Sequence, residues 1–365
     1  MKAAVMYRTH APLRIEDLDQ DPPKQGEVRV RTMAAGLCAS DHHVIEGKMT
    51  YPLPVVLGHE GAGLVEEVGN GVTRFSPGDR VILSFQSSCG RCPPCRRGEG
   101  NLCDTHRSTP FTMFDGTVRL HDSDGTDVRQ MQKLGVFAES LIAPQEACQI
   151  LPDEVPWESA ALIGCAVTTG VGGVLNTPGI QPGDTIAIFG AGGVGLNAIQ
   201  GARLLNAARI IVVDIFDHKL EFAYKFGATD IINSRESDPV EEIKDMTSGG
   251  VDFAYDTFGS SQVVRQVVDS TRKGGTGVLI GLPASGDDAP IDVMDMVRVQ
   301  KNLVSALYGR VTPHLTFDRI VDFYLRGKID IDSLITRRYT LDDINQGFAD
   351  LARGEDGRGV ISYTN

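Results

Sequence analysis

The chain has 365 residues, 41% hydrophobic and 23% charged, the profile of an ordinary globular protein too long for one comfortable core. Its net charge of −13 argues against a nucleic-acid or anionic-membrane partner, because phosphate binding needs a basic face. The N-terminal stretch has no apolar core of signal-peptide length, and no uninterrupted apolar run reaches membrane-spanning length, so a cytoplasmic protein is expected.

In chain order, Lys2–Met6 and Glu27–Met33 read as half-buried strands around the turn-rich DPPKQG. Residues 36–60, GLCASDHHVIEGKMTYPLPVVLGHE, hold Cys38 and His59, ligand types that suit Zn²⁺, with glycines flanking both. Between them, Ser40 and His43 could pass a proton and Asp41 could orient an imidazole. Cys165, in IGCAVTTG, shares the glycine-flanked apolar surroundings. Together the three would form an open Cys₂His site, which keeps a position for water or substrate. The alternative is buried thiols and a satisfied histidine.

Short strands continue through 61–72 and 75–85, which implies a β-rich domain to about residue 150. Inside it, CGRCPPCRRGEGNLC spaces Cys89, Cys92, Cys95 and Cys103 as C-x2-C-x2-C-x7-C. Four thiolates in one loop can close around a tetrahedral structural Zn²⁺ that leaves no open position. An iron–sulfur cluster is the rival, although bacterial ferredoxins continue with C-x3-C and proline, which this chain lacks. Four unrelated reduced thiols are the bland alternative. Residues 104–135 are long, polar and weakly periodic, and read as a loop.

From Pro182 the texture changes to strand, glycine turn, helix and strand, closing at Asp214. Gly190, Gly192 and Gly195 give G-x-G-x-x-G, with Gly193 and Val194 in the same turn. The first glycine permits the tight turn, the second lets a pyrophosphate approach the backbone, and the third lets helix and strand pack. Asp214 stands where a carboxylate would meet an adenosine ribose and repel a 2′-phosphate, favouring NAD over NADP. A solvated strand end is the alternative. Lys219 could reach the same ribose or be a solvated helix lysine. HKLEFAYKFGAT, VVRQVVDSTRKG, FDRIVDFYLRGK and LDDINQGFADLARG have helical period, while DIIN, VDFAYDTF, GTGVLIGL and GVISYT read as strands. The expected class is α/β: a Rossmann doubly wound parallel sheet, 167–307, inserted into a β-rich domain of 1–166 plus 308–365.

At this point the chain resembles the zinc-dependent medium-chain alcohol dehydrogenases over nearly its whole length. GLCASDHH, GHEGAGLVEEVG, the four-cysteine run, GCAVTTG, GAGGVG and Asp214 carry the resemblance, in the family's order. It implies a GroES-like catalytic domain, two Zn²⁺ per chain and NAD. Cys38, His59 and Cys165 would hold the catalytic zinc, with Glu60 beside it and Asp41 fixing the histidine. Ser40 and His43 match the family's proton relay, unless His43 is a plain surface histidine. Thr169 matches a threonine beside the nicotinamide, Arg358 an arginine on the pyrophosphate, and Met49 and Phe85 positions lining the alcohol channel. Ala39 departs from the basic residue that many relatives carry near the pyrophosphate.

The implied reaction is reversible oxidation of primary aliphatic or aromatic alcohols to aldehydes. The long 104–135 segment resembles that of dimeric members, so a homodimer is expected, with a homotetramer as the alternative. VTTG and NAIQGAR resemble the branch that keeps its nicotinamide permanently bound. Thiol-linked formaldehyde dehydrogenases and polyol dehydrogenases are the nearby rivals, and an NAD-binding, zinc-stapled structural protein is the non-enzymatic one.

Overall fold

The structure is a computed structural model of the chain and describes residues 1–354 and 357–363. Two compact units emerge, Met1–Ala166 with Val311–Asn365, and Val167–Arg310.

The first unit is β-rich. Its central strand, Glu27–Gly36, pairs antiparallel with Gly61–Val68, Ser140–Pro144 and Arg358–Ser362. The register matters most at the strand's C-terminal end. Ala35 lies opposite Gly61, and Gly36 opposite Val360. Cys38 therefore leaves the sheet where His59 and Glu60 enter it, with Arg358 on the neighbouring strand. Val28, Val30, Ala35, Val65, Val81 and Leu83 are buried in the core beneath these strands. The lone tryptophan, Trp157, packs its ring under the Arg80 guanidinium, 4.0 Å from the ring centre.

The second unit is a six-stranded parallel sheet among the described residues. Its order is Asp230–Asn233, Arg209–Asp214, Thr185–Phe189, Val251–Asp256, Thr271–Leu279 and Asn302–Ser305. Helices cover it, which is why Ile210 to Val213 form an unbroken buried run rather than an alternating one. Helix Ser261–Ser270 buries Val264, Val267 and Val268, and the Ser260 hydroxyl caps it by accepting from the Val263 N–H. Each of those valines contributes roughly 1.5–3 kcal/mol of burial relative to exposure. Chain order reverses direction at Thr185–Phe189, and the glycine turn follows that strand; ligands of open α/β sheets bind at such switch points.

Two expectations need amendment. Residues 104–135 are not a plain loop: they contain helix Asp104–Ser108 and strands Leu120–His121 and Asp127–Gln130. Each element is too short to show a period, so the sequence hides them. The helical run Trp157–Leu175 is long and apolar enough to cross a membrane, but 83% of its most apolar window is buried inside the protein, as for a core helix.

Candidate active site

The sheet register gathers Cys38, His59 and Glu60, and a distortion adds Cys165. Residues Ile163–Val167 form a single π-helical turn between two α-helical stretches, and such bulges are frequent at functional sites. One donor atom from each of Cys38, His59, Glu60 and Cys165 lies within 4.8 Å of the others. His59, Glu60 and Cys165 are buried and Cys38 is half-buried.

Asp41 fixes the histidine. Its Oδ1 accepts from His59 Nδ1 at 3.1 Å and from the Gly58 N–H at 2.9 Å. That bond leaves His59 Nε2 as the ligating nitrogen. Gly58 has a φ of +96°, and a side chain there would collide with Val136 and Phe137. Burial opposes a charge on His59, yet the Asp41 carboxylate and the Cys38 sulfur hold its pKa well above the ordinary value. The Cys165 thiol hydrogen-bonds the Cys38 sulfur, which draws Cys38 well below the usual thiol range against the effect of burial. Thiolate, not thiol, is the metal-binding form.

Glu60 is fully buried and divided in its contacts. Oε1 accepts from the Arg358 guanidinium at 2.7 Å, while Oε2 has no partner. Burial pushes its carboxyl up to about 8, with Arg358 pulling the other way. Arg358, 6% exposed, also donates to the Leu37 carbonyl at 2.8 Å. The arginine expected on a pyrophosphate thus has its Nη2 on Glu60 and on the backbone.

Ser40 and His43 sit three residues apart on the short helix Ala39–Ile45, so they share a face. Ser40 Oγ lies 3.7 Å from Cys38 Sγ. Partial burial and the nearby Lys48 lower the pKa of His43, so the ring is neutral at pH 7 and free to accept a proton. Its neighbour His42 instead faces Glu46 at 3.5 Å. Phe85 sets its ring edge-on to the His59 imidazole, 5.2 Å between centres, and Met49 packs against the same core.

Cys89, Cys92, Cys95 and Cys103 form a second cluster, again within 4.8 Å, and none is in a disulfide. Backbone donors converge on it: Cys103 Sγ accepts from Cys89 N–H at 3.3 Å and His106 N–H at 3.5 Å. The Thr105 hydroxyl donates to Cys89 Sγ at 3.2 Å. Despite burial, that hydroxyl and the Arg91 and Cys92 N–H groups bring the Cys89 thiol down to about 6. Four sulfurs gathered on one point, two of them already facing polar donors, suit a tetrahedral metal. The sequence reading did not anticipate Thr105, His106 or Lys133, whose ammonium donates to the His106 and Thr109 carbonyls behind this loop.

In the second unit, the three glycines do different work. Gly190 has a φ of +103°; a Cβ on Gly195 would sit 1.8 Å from the Gly190 carbonyl oxygen; a Cβ on Gly192 would meet nothing within 4 Å. The turn is therefore closed toward the sheet and open on the side where a pyrophosphate would lie. Helix Gly193–Leu204 begins there without a side-chain cap, which leaves its N–H groups to an anion. Val194 lies in its first turn. Asp214 Oδ2 accepts from the Ala191 N–H at 2.8 Å, tying the second strand to the turn. Lys219 stands over the Phe216 ring. Thr169 lies on helix Thr168–Leu175, four residues after Cys165 in sequence.

Sulfur and imidazole donors gathered on one point, in a chain that also carries a dinucleotide-type turn, define a zinc-binding dehydrogenase. Residues 24–153 match the family described as alcohol dehydrogenase GroES-like domain, and 193–326 the one described as zinc-binding dehydrogenase. The chain is 38% identical to an NDMA-dependent alcohol dehydrogenase of Amycolatopsis methanolica, over 100% of this chain and 99% of that one. It is 36% identical to an S-(hydroxymethyl)glutathione dehydrogenase of Saccharomyces cerevisiae, over 98% and 95%. The crystal structure of benzyl alcohol dehydrogenase from Acinetobacter calcoaceticus superposes with a TM-score of 0.92 at 33% identity, over 100% and 99%. The chain belongs to the zinc-dependent medium-chain alcohol dehydrogenase family.

Proposed function

We propose that this protein oxidises primary aliphatic or aromatic alcohols to aldehydes, reversibly, with NAD as hydride acceptor. The observation that carries the reading is the convergence of Cys38, His59, Glu60 and Cys165 on one point. Cys38, His59 and Cys165 would hold a catalytic Zn²⁺, and Cys89, Cys92, Cys95 and Cys103 a structural one. Bound at the first site, zinc supplies a Lewis acid that acidifies an alcohol hydroxyl, and NAD supplies the hydride acceptor.

The chain's own residues do the rest. Asp41 keeps His59 in one tautomer and raises its basicity. Ser40, beside Cys38, takes the hydroxyl proton, and neutral His43 on the same helix face delivers it to solvent. Glu60, with a free Oε2, stands by as an alternative ligand during exchange. Met49 and Phe85 give the alcohol an apolar wall, and Thr169 contacts the nicotinamide. Gly190, Gly192, Gly193, Val194 and Gly195 cradle the pyrophosphate, and Asp214 with Lys219 meets the adenosine ribose, favouring NAD over NADP. A homodimer is the assembly we assign.

A second reading has its own support. Similarity to the NDMA-dependent alcohol dehydrogenase points to a nicotinamide that stays bound and is reoxidised by an artificial acceptor. Zinc analysis with two assays separates the cases. Two zincs per chain and alcohol-dependent NADH absorbance support the first. Turnover only with an artificial acceptor selects the second. No turnover in either assay, with any alcohol or S-hydroxymethyl thiol, defeats both.

A further inference from the structure

The rim around Asp214 holds more charge than ribose recognition requires. Its carboxylate is already engaged: Oδ2 accepts from Ala191, and Oδ1 accepts from the Ile215 and Phe216 N–H groups at 2.7 and 3.1 Å. Next to it, one aromatic ring carries two cations. Lys219 Nζ stands 5.0 Å and the Arg235 guanidinium 4.9 Å from the centre of Phe216. Among the described residues neither cation makes an ion pair, and the Asp217 carboxylate, next to Phe216 in sequence, accepts from the Asn233 amide at 2.6 Å.

The sheet brings these groups together. Asn233 is the register partner of Asp214, and the Ser234 N–H donates to the Asp214 carbonyl at 3.0 Å. Arg235 follows directly and folds back onto Phe216, which begins the helix after Asp214. Two like charges on one ring repel each other, so the arrangement gains stability when an anion joins them. In dinucleotide folds, an acidic residue here reads the ribose 2′-hydroxyl, whereas a nearby arginine accommodates a 2′-phosphate. This chain has both.

We propose that Arg235, steered by Phe216 and assisted by Lys219, binds the 2′-phosphate of a phosphorylated adenine dinucleotide, so the rim is a mixed site. Asp214 sets the preference for the unphosphorylated form, and Arg235 sets how far the phosphorylated one is tolerated. Phe216 is a positioning residue. The proposal rests on the dinucleotide reading above.

The test is calorimetric titration of the full chain, stripped of any carried nucleotide with charcoal. The probes are 5′-AMP and adenosine 2′,5′-bisphosphate, which differ only at the 2′ position. Arg235→Ala should weaken the bisphosphate about tenfold at low salt and leave 5′-AMP within about twofold, since a phosphate contact is charge-assisted and screened. Phe216→Leu should reproduce that selective loss and Phe216→Tyr should not, a contrast that a merely structural role would not give. Asp214→Asn should tighten the bisphosphate. Equal effects of Arg235→Ala on both probes, or none on either, overturn the proposal. Failure of the unaltered protein to bind either probe defeats the dinucleotide reading instead.

Discussion

Arg358 and Glu60 form an ion pair of 2.7 Å in which both partners are buried, and Glu60 also brings a carboxylate oxygen within 4.8 Å of donor atoms of Cys38, His59 and Cys165. A carboxylate alone there would be strongly disfavoured; with Arg358 it can approach a cation on one side while anchored on the other. Removing the arginine leaves an unpaired buried carboxyl. Arg358→Met should therefore lose about 3–5 kcal/mol of stability by denaturant unfolding, the usual cost of breaking a buried pair. Glu60→Gln, which can still accept from the arginine, should lose much less. Equal losses would mean that charge is not what holds the pair.

The two proposed zinc sites separate by consequence. Cys165→Ala should remove one of two zincs and abolish turnover while leaving the fold's Tm near normal. Cys95→Ser should also remove one zinc but act through stability, lowering Tm, because that loop has no open position for substrate. Asp41→Asn keeps all three proposed ligands yet should lower zinc affinity or activity roughly 10–100-fold through the orientation of His59. Atomic absorption beside a melting curve reads all three.

Gly192 and Gly195 make a matched pair for the cofactor turn. A methyl group at 195 meets the Gly190 carbonyl at 1.8 Å, so Gly195→Ala should destabilise the second unit outright. At 192 it meets no protein atom. Gly192→Ala should leave the melting temperature unchanged and weaken dinucleotide binding, because only the ligand occupies that space.

Partial burial first, and Lys48 second, hold the His43 pKa below its ordinary 6.5. A proton acceptor with a lowered pKa works down to lower pH, so the acid limb of kcat should lie below 6.5. Lys48→Met removes one lowering influence and should move that limb upward. His43→Gln should slow turnover most below neutral pH, with partial rescue by an added base such as imidazole.

Burial lowers Lys133 to about 8 from 10.5. Its folded form thus binds a proton less readily than the unfolded chain, so this residue adds a rise in stability between about pH 8 and 10.5. Lys133→Met should remove that rise. The quantity to measure is the difference in unfolding free energy between the two proteins across the window, which cancels all other titrating groups.

Local chemistry made much of this protein legible from its sequence. The G-x-G-x-x-G turn, the four closely spaced cysteines and the alternation of strands with helices each depend on residues near in sequence, where spacing is geometry. DIIN occupies the strand Asp230–Asn233 because a short strand is bounded by its own turns. What the sequence could not decide is pairing at long range. Arg358 meets Glu60 across 298 positions because antiparallel register sets Gly36 opposite Val360 and Ala35 opposite Gly61. Arg235 reaches the ring beside Asp214 only because parallel strands end side by side. Residue types say which groups can bind a metal or a phosphate; sheet register, which no local pattern encodes, says which of them meet.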